Sequence, residues 1–151
     1  MDKDHLINII TKAFSGVELG EGIGLWEAQA IDDYETQAVR KEKREKDEKQ
    51  DWSKLLGSPN LQNCHSSLSF FDANGMRFHL PIFIIGSIKN EVDDPIFHLT
   101  NLDDYAKSKF TTLNLEQRKA ITAYLNWCLQ NDEYEFDHPS IERALKEYWN
   151  E

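Results

Sequence analysis

Leu68 to Ile88, LSFFDANGMRFHLPIFIIGSI, decides how the rest of the chain is read. It holds the clearest turn signal and the densest apolar run among 151 residues. Asp72-Ala73-Asn74-Gly75 stands between two runs rich in aromatic and aliphatic side chains, the short-range mark of a β-hairpin. A two-residue Asn-Gly turn would pair Phe71 with Phe78 and set Leu68 and Phe70 beside Arg77 and His79. A three-residue loop, Ala73-Asn74-Gly75, pairs Asp72 with Met76 and gives Gly75 the left-handed place of a bulge. Leu68, Phe70, Met76, Phe78 and Leu80 then share one face, with Ser69, Phe71, Arg77 and His79 on the other. A slip of one residue would exchange the faces, so the pattern predicts the second register. Pro81 has no N–H for a ladder, so the strand ends there or lies at an edge. Residues 82–88 read equally as more strand or as a buried helix with Pro81 at its first position.

Helical spacing appears on both sides of this hairpin. Leu6, Ile10, Ala13 and Phe14 predict a helix over Asp4 to Phe14, with Asp4 as N-cap and Gly16 closing it. A longer helix is predicted from Leu25 to about Lys49, with Ala28, Ile31, Tyr34 and Ala38 as its apolar stripe. Its charged end reads as a solvated arm supported by the pairs Glu42–Lys46 and Glu45–Lys49. Asp51-Trp52 opens a short helical piece ending near Leu56, Ile96 to Leu99 reads as a weak third strand, and Asp103 to Phe110 as a short helix. Asn114 and Gln117 form a capping box ahead of Ile121, Tyr124, Leu125 and Cys128. Pro139 starts a last helix whose Ile141, Leu145, Tyr148 and Trp149 face the core. Helices before and after a small sheet predict one α+β domain over 1–151, an antiparallel sheet built on the 68–80 hairpin and packed by both sets of helices.

The chain carries a net charge of −10. Arg40 to Lys49 contains six basic and four acidic residues, so the remainder carries −12. Such a surface repels nucleic acid, whose phosphates need clustered Lys and Arg. It attracts a basic protein, chiefly through the association rate. No apolar run is long enough to span a bilayer, and MDKDHLINII lacks a signal-peptide pattern, which predicts a cytoplasmic protein away from membranes. The two cysteines, Cys64 and Cys128, match no metal or redox spacing and read as ordinary thiols.

Residues able to do chemistry are few. None of His5, His65, His79, His98 and His138 lies in a zinc-binding spacing. Gly20-Glu21-Gly22-Ile23-Gly24 follows no strand and precedes no Lys-Ser/Thr, so it is a turn rather than a phosphate loop. His79 shares a face with Arg77 and Phe71 in the hairpin register, where a general base could be built. Glu27 and Asp32-Asp33 lie on the long helix but splay apart around it. No metal and no cofactor are expected.

Several motifs, taken in order, resemble a family of small, uncharacterised bacterial domains. They are GEGIGLWEAQAIDDY (Gly20 to Tyr34), Asp51-Trp52, FxDxxGxRFxLP (Phe70 to Pro81) and FxxLxxxQ (Phe110 to Gln117). The similarity spans most of the chain and implies a bacterial cytosolic α+β domain with no activity to carry over. The family's recurring positions correspond to Glu27, Asp33, Trp52, Phe78, Leu80 and Pro81, and the charged Arg40 to Lys49 stretch departs from its pattern.

Two readings of function follow. The first is a non-enzymatic interaction domain that binds a basic protein, most concretely an immunity-type protein neutralising a toxin, with Trp52, Phe71, Arg77 and His79 as binding residues. The alternative is a small hydrolase or metal-dependent enzyme using Glu27, Asp33 and His79 with Arg77. A third leaves the oligomeric state open, with Phe71 and its neighbours covered by another chain.

Overall fold

In the computed structural model, which describes residues 1–64 and 66–150, the chain forms helices and no strand. The α-helices are α1 (Lys3–Ala13), α2 (Leu25–Asp32), α3 (Gln37–Lys46), α4 (Pro59–Asn63), α5 (Ala73–Ile88), α6 (Ile96–Thr100), α7 (Asp104–Ser108), α8 (Leu115–Leu129) and α9 (His138–Ala144). Short 3₁₀ turns at Trp52–Leu55, Ser67–Ser69 and Asp132–Asp137 link them, and Leu145–Trp149 ends the fold as a π-turn. The expected α+β architecture is therefore replaced by an all-helical one.

The correction centres on Leu68 to Ile88. Asp72 does not open a turn between strands. Its Oδ1 accepts the Gly75 N–H at 2.8 Å as the N-cap of α5, and Asn74-Gly75 lie in the first helical turn. Thirteen of the sixteen residues of α5 are buried, including every one from Phe78 to Ile88. A helix apolar on all sides belongs at the centre of a helical assembly. That is what Phe78, Ile82 and Ile84, each fully buried, achieve. Burying each such side chain contributes about 1.5–3 kcal/mol, enough in sum to outweigh the roughly 3 kcal/mol cost of Pro81 inside the helix. Residues 82–88 are thus helix, and the helix passes through Pro81 rather than starting at it. Ile96 to Leu99, expected as a strand, is α6.

The other elements pack around α5. Helix α1 lies against α5 and α8, capped by Asp2 rather than Asp4, with Asp2 Oδ1 accepting the His5 N–H at 2.7 Å. The Trp52 indole donates to the Phe14 carbonyl at 2.8 Å and so satisfies the end of α1. Helix α8 carries the expected capping box, Asn114 with Gln117. Pro139 sits in the first turn of α9, as expected, and Ile141, Leu145 and Trp149 are buried. None of the described helices is long and apolar enough to cross a membrane.

The long helix expected from Leu25 to Lys49 is broken in two. Tyr34 takes φ 57 after α2, and the Glu35 N–H reaches back to the Ala30 carbonyl at 3.0 Å. That left-handed position usually belongs to glycine. Tyr34 is 96% exposed, so packing does not repay the strain. Tyr34→Gly should therefore stabilise the fold by about 1 kcal/mol in urea denaturation, the cost of a left-handed non-glycine residue less glycine's extra freedom when unfolded.

Candidate functional site

The break at Tyr34 turns α3 back along α2, and this governs Glu27. Glu27 is buried on α2, and Arg44 on α3 holds it in a bidentate pair, Nε to Oε1 at 2.9 Å and Nη2 to Oε2 at 3.0 Å. Arg40 adds a longer contact at 3.8 Å. The Asp47 carboxylate accepts the N–H groups of Trp26 and Glu27 at 2.8 and 3.1 Å, capping the start of α2 from a distant part of the chain. Burial pushes the Asp47 carboxyl up, and those two N–H groups draw it back. Gly24 leaves the room Asp47 needs, since a Cβ there would stand 2.3 Å from an Asp47 carboxylate oxygen. The charged Arg40 to Lys49 stretch is thus no free arm. Glu42–Lys46 pairs at 3.0 Å as expected, but Lys49 turns to the carbonyls of Arg44 and Asp47 instead of to Glu45.

His79 lies in α5, wholly buried, with Nδ1 2.7 Å from the Gly75 carbonyl. That geometry has Nδ1–H donating, which leaves the Nε2 lone pair facing protein with no partner. Phe71 stacks on the ring at 4.3 Å and Phe78 meets it edge-on at 4.9 Å. Burial brings the imidazole down to about 4, so it stays neutral at physiological pH. Asp33 is an exposed C-cap residue of α2 that accepts from Gln29 at 3.3 Å. Arg77, half-buried, lines a separate cavity of about 510 Å³ formed with residues 15–20. The four residues of the enzyme reading are therefore not brought together. Glu27 lines a small cavity of about 210 Å³ with Arg40 and Arg44 that contains none of the other three.

The expected binding set fares similarly. Trp52 and Phe71 are 4% and 2% exposed and serve the core, as does His79, so only Arg77 reaches the surface. Phe71 itself is buried and so offers no surface for another chain to cover. Cys64 and Cys128 are free and buried, and burial pushes both thiols up to about 12. His65 lies outside the described residues.

A different site emerges at the far end of α5. A cavity of about 620 Å³ lies between α4, the end of α5, the loop 89–95 and the Asp132–Asp137 turn. Asn90, at φ 59, turns the chain, and the Glu91 N–H closes onto the Gly86 carbonyl at 2.8 Å. Gln62 on α4 donates to the Glu91 carbonyl at 2.7 Å and fixes the loop from the other wall. Glu91, Asp93, Asp94 and Glu133 line the space, with His98 the one lining residue able to become cationic. Packing around the Asp94 carboxyl, with Asp137 and Asp93 nearby, holds it above the ordinary carboxylate range, although the Ile96 N–H donates to it at 3.0 Å. Burial likewise lowers His98, helped by Lys109. The sequence shows both acidic runs, Glu91-Val92-Asp93-Asp94 and Asp132-Glu133-Tyr134-Glu135. Only the fold brings them to one hollow.

Fold and site together define an acidic, all-helical domain with a cavity at the end of α5 lined in part by carboxylates. The chain belongs to a family of unknown function, DUF6714, whose model matches residues 2–151. No curated protein and no solved structure matches it.

Proposed function

We propose that this protein is a non-enzymatic interaction domain that captures a basic protein in the bacterial cytoplasm, most concretely as an immunity-type protein that occludes a basic toxin. The observation that carries the reading is the distribution of charge. Arg40 and Arg44 are paired with Glu27, Lys46 with Glu42, and Lys49 donates to backbone carbonyls, while the concave surface at the end of α5 gathers carboxylates that have no cationic partner among the described residues. With a net charge of −10, the domain attracts a cationic partner at long range and repels nucleic acid. Complementary potentials raise the rate of encounter more than the lifetime of the complex.

The test is co-purification from cells that express the protein, identification of the captured partner, and stopped-flow association with it at several salt concentrations. The expected partner is strongly basic, and its association rate falls at least tenfold between low and physiological ionic strength. Co-expression should relieve any toxicity of that partner. An association rate indifferent to salt overturns the steering claim.

A further inference from the structure

Arg77 is a cation that an acidic chain leaves unpaired. Among the described residues the ion pairs use Arg40, Arg44 and Lys46 and none uses Arg77, although the chain carries 27 Asp and Glu. The Arg77 Nε is sealed from solvent with no acceptor among the described residues, and a buried donor left in that state is costly. The side chain lines the cavity of about 510 Å³ formed by the 15–20 loop and the starts of α5 and α8. The capping box of α8 supplies the facing polar groups. Asn114 Oδ1 accepts the Gln117 N–H at 2.8 Å, and Gln117 Oε1 accepts the Asn114 N–H at 3.0 Å. Both amide oxygens are thereby committed, so what these two side chains offer a ligand is their Nδ2 and Nε2 donors. Gln117 is 3% exposed, and its surroundings hold the amide in that orientation. A guanidinium and two amide donors call for an acceptor, and the positive ends of the α5 and α8 dipoles favour an anionic one. Glu18, which is exposed, is the one acid among the described lining residues.

We propose that this cavity binds a carboxylate group, with the Arg77 guanidinium and the side-chain amides of Asn114 and Gln117 donating to its oxygens. One cation balances one negative charge, which a carboxylate carries and a phosphate monoester exceeds. In a chain of net charge −10 with Glu18 beside the seat, a second negative charge has no partner. A planar carboxylate also accepts two parallel N–H bonds from a guanidinium. Drawing the guanidinium toward the cavity gives the Arg77 Nε–H the acceptor it lacks. The volume exceeds what a carboxylate alone fills, so the group belongs to a small free acid or to the end of a peptide chain. The seat is independent of the proposed capture of a basic protein, whose acidic hollow lies at the other end of α5.

The test titrates the full-length protein at constant ionic strength with acetate, N-acetylglycine and N-acetyltriglycine, with N-acetylglycinamide and chloride as controls. Backbone amide signals and the Arg77 Nε–Hε signal are followed by NMR. The three acids should move residues 15–20, 74–77 and 114–117 together with Arg77 Nε–Hε, saturating in the millimolar range, and the two controls should not. Tighter binding of N-acetyltriglycine assigns the seat to a chain end, and acetate binding as tightly assigns it to a small acid. Both outcomes support the carboxylate seat. Arg77→Gln should weaken binding at least tenfold, as expected for a charge-assisted hydrogen bond. Glu18→Gln, at an exposed position, should tighten it severalfold, and Lys146→Gln, an exposed charge loss on the last turn, should leave it unchanged. If Arg77→Gln fails to fold, the Arg77 Nε–Hε signal and Glu18→Gln carry the test. Equal shifts with N-acetylglycinamide or chloride, shifts spread over the whole surface, tighter binding of inorganic phosphate, a still Arg77 Nε–Hε signal, or indifference to Glu18→Gln or to a folded Arg77→Gln overturns the assignment.

Discussion

Gly75→Ala should cost the protein about 3 kcal/mol or more and lower its melting temperature by about 10 °C. A Cβ at position 75 would stand 2.4 Å from the Ile23 carbonyl oxygen and 3.0 Å from both Asp72 Oδ1 and Phe71 Cδ1. The first of these is backbone and cannot swing aside as a flexible side chain would. Asp72 Oδ1 accepts from Ile23 as well as from Gly75, at 3.0 and 2.8 Å, so the start of α5 and the approach to α2 are clamped on one oxygen. Pushing them apart strains the N-cap, and it also disturbs Gly24, which makes room for Asp47. Gly75→Asn separates this account from a hairpin. Asparagine tolerates the left-handed position of a bulge, so a hairpin would accept it at small cost. In α5 it should be at least as damaging as alanine. Urea denaturation of the two variants measures both costs.

The second large effect is acid sensitivity arising from His79. Its imidazole falls from an ordinary value of 6.5 to about 4 in the folded protein because burial disfavours the cation. A base with a depressed folded value contributes stability that is full above the unfolded value and is lost as pH falls toward the folded one. The window is therefore between 6.5 and about 4. A difference of this size corresponds to about 3 kcal/mol, at 1.36 kcal/mol per unit. His79→Leu, of similar volume, should lose about 3 kcal/mol less than the parent between pH 7 and pH 4, whatever its absolute stability at pH 7. The comparison between the two proteins cancels the carboxylates that titrate in both. Parallel losses of stability would contradict a neutral, sealed imidazole.

The parts of this fold that could be read from the sequence are those whose signals are local. Asn114 and Gln117 sit three residues apart before an apolar stripe, and the cap they predict is the cap that forms. Pro139 and the stripe from Ile141 to Trp149 likewise describe the last helix without outside help. Leu68 to Ile88 failed because its local signals have two solutions. An aspartate followed three residues later by glycine suits a turn or an N-cap, and the alternation around it suits a strand face. The decision comes from tertiary burial, which covers every side of residues 78–88 and makes a one-faced strand impossible. The break at Tyr34 has no glycine to announce it, and Asp47 caps α2 across twenty-one residues of chain, beyond any local rule.

The candidate site was less legible still. Trp52 and Phe71 are large aromatics of the kind that anchor interfaces, yet one caps α1 and the other stacks on His79 within the core. Glu27, one of the carboxylates of the enzyme reading, is held by Arg44 in a bidentate pair. Charge, by contrast, survived the change of fold, because net charge depends on composition alone. Two acidic runs forty residues apart became one hollow only when α5 and the Asp132–Asp137 turn met.

Everything above depends on α5 being a single buried helix. Carbon-13 Cα secondary shifts measured residue by residue from Leu68 to Ile88 test it most directly. The account predicts an unbroken run of positive values from Ala73 to Ile88, continuing through Leu80 and Ile82 on either side of the proline. Negative values on both sides of Asn74-Gly75 would restore the hairpin and remove the basis for the rest.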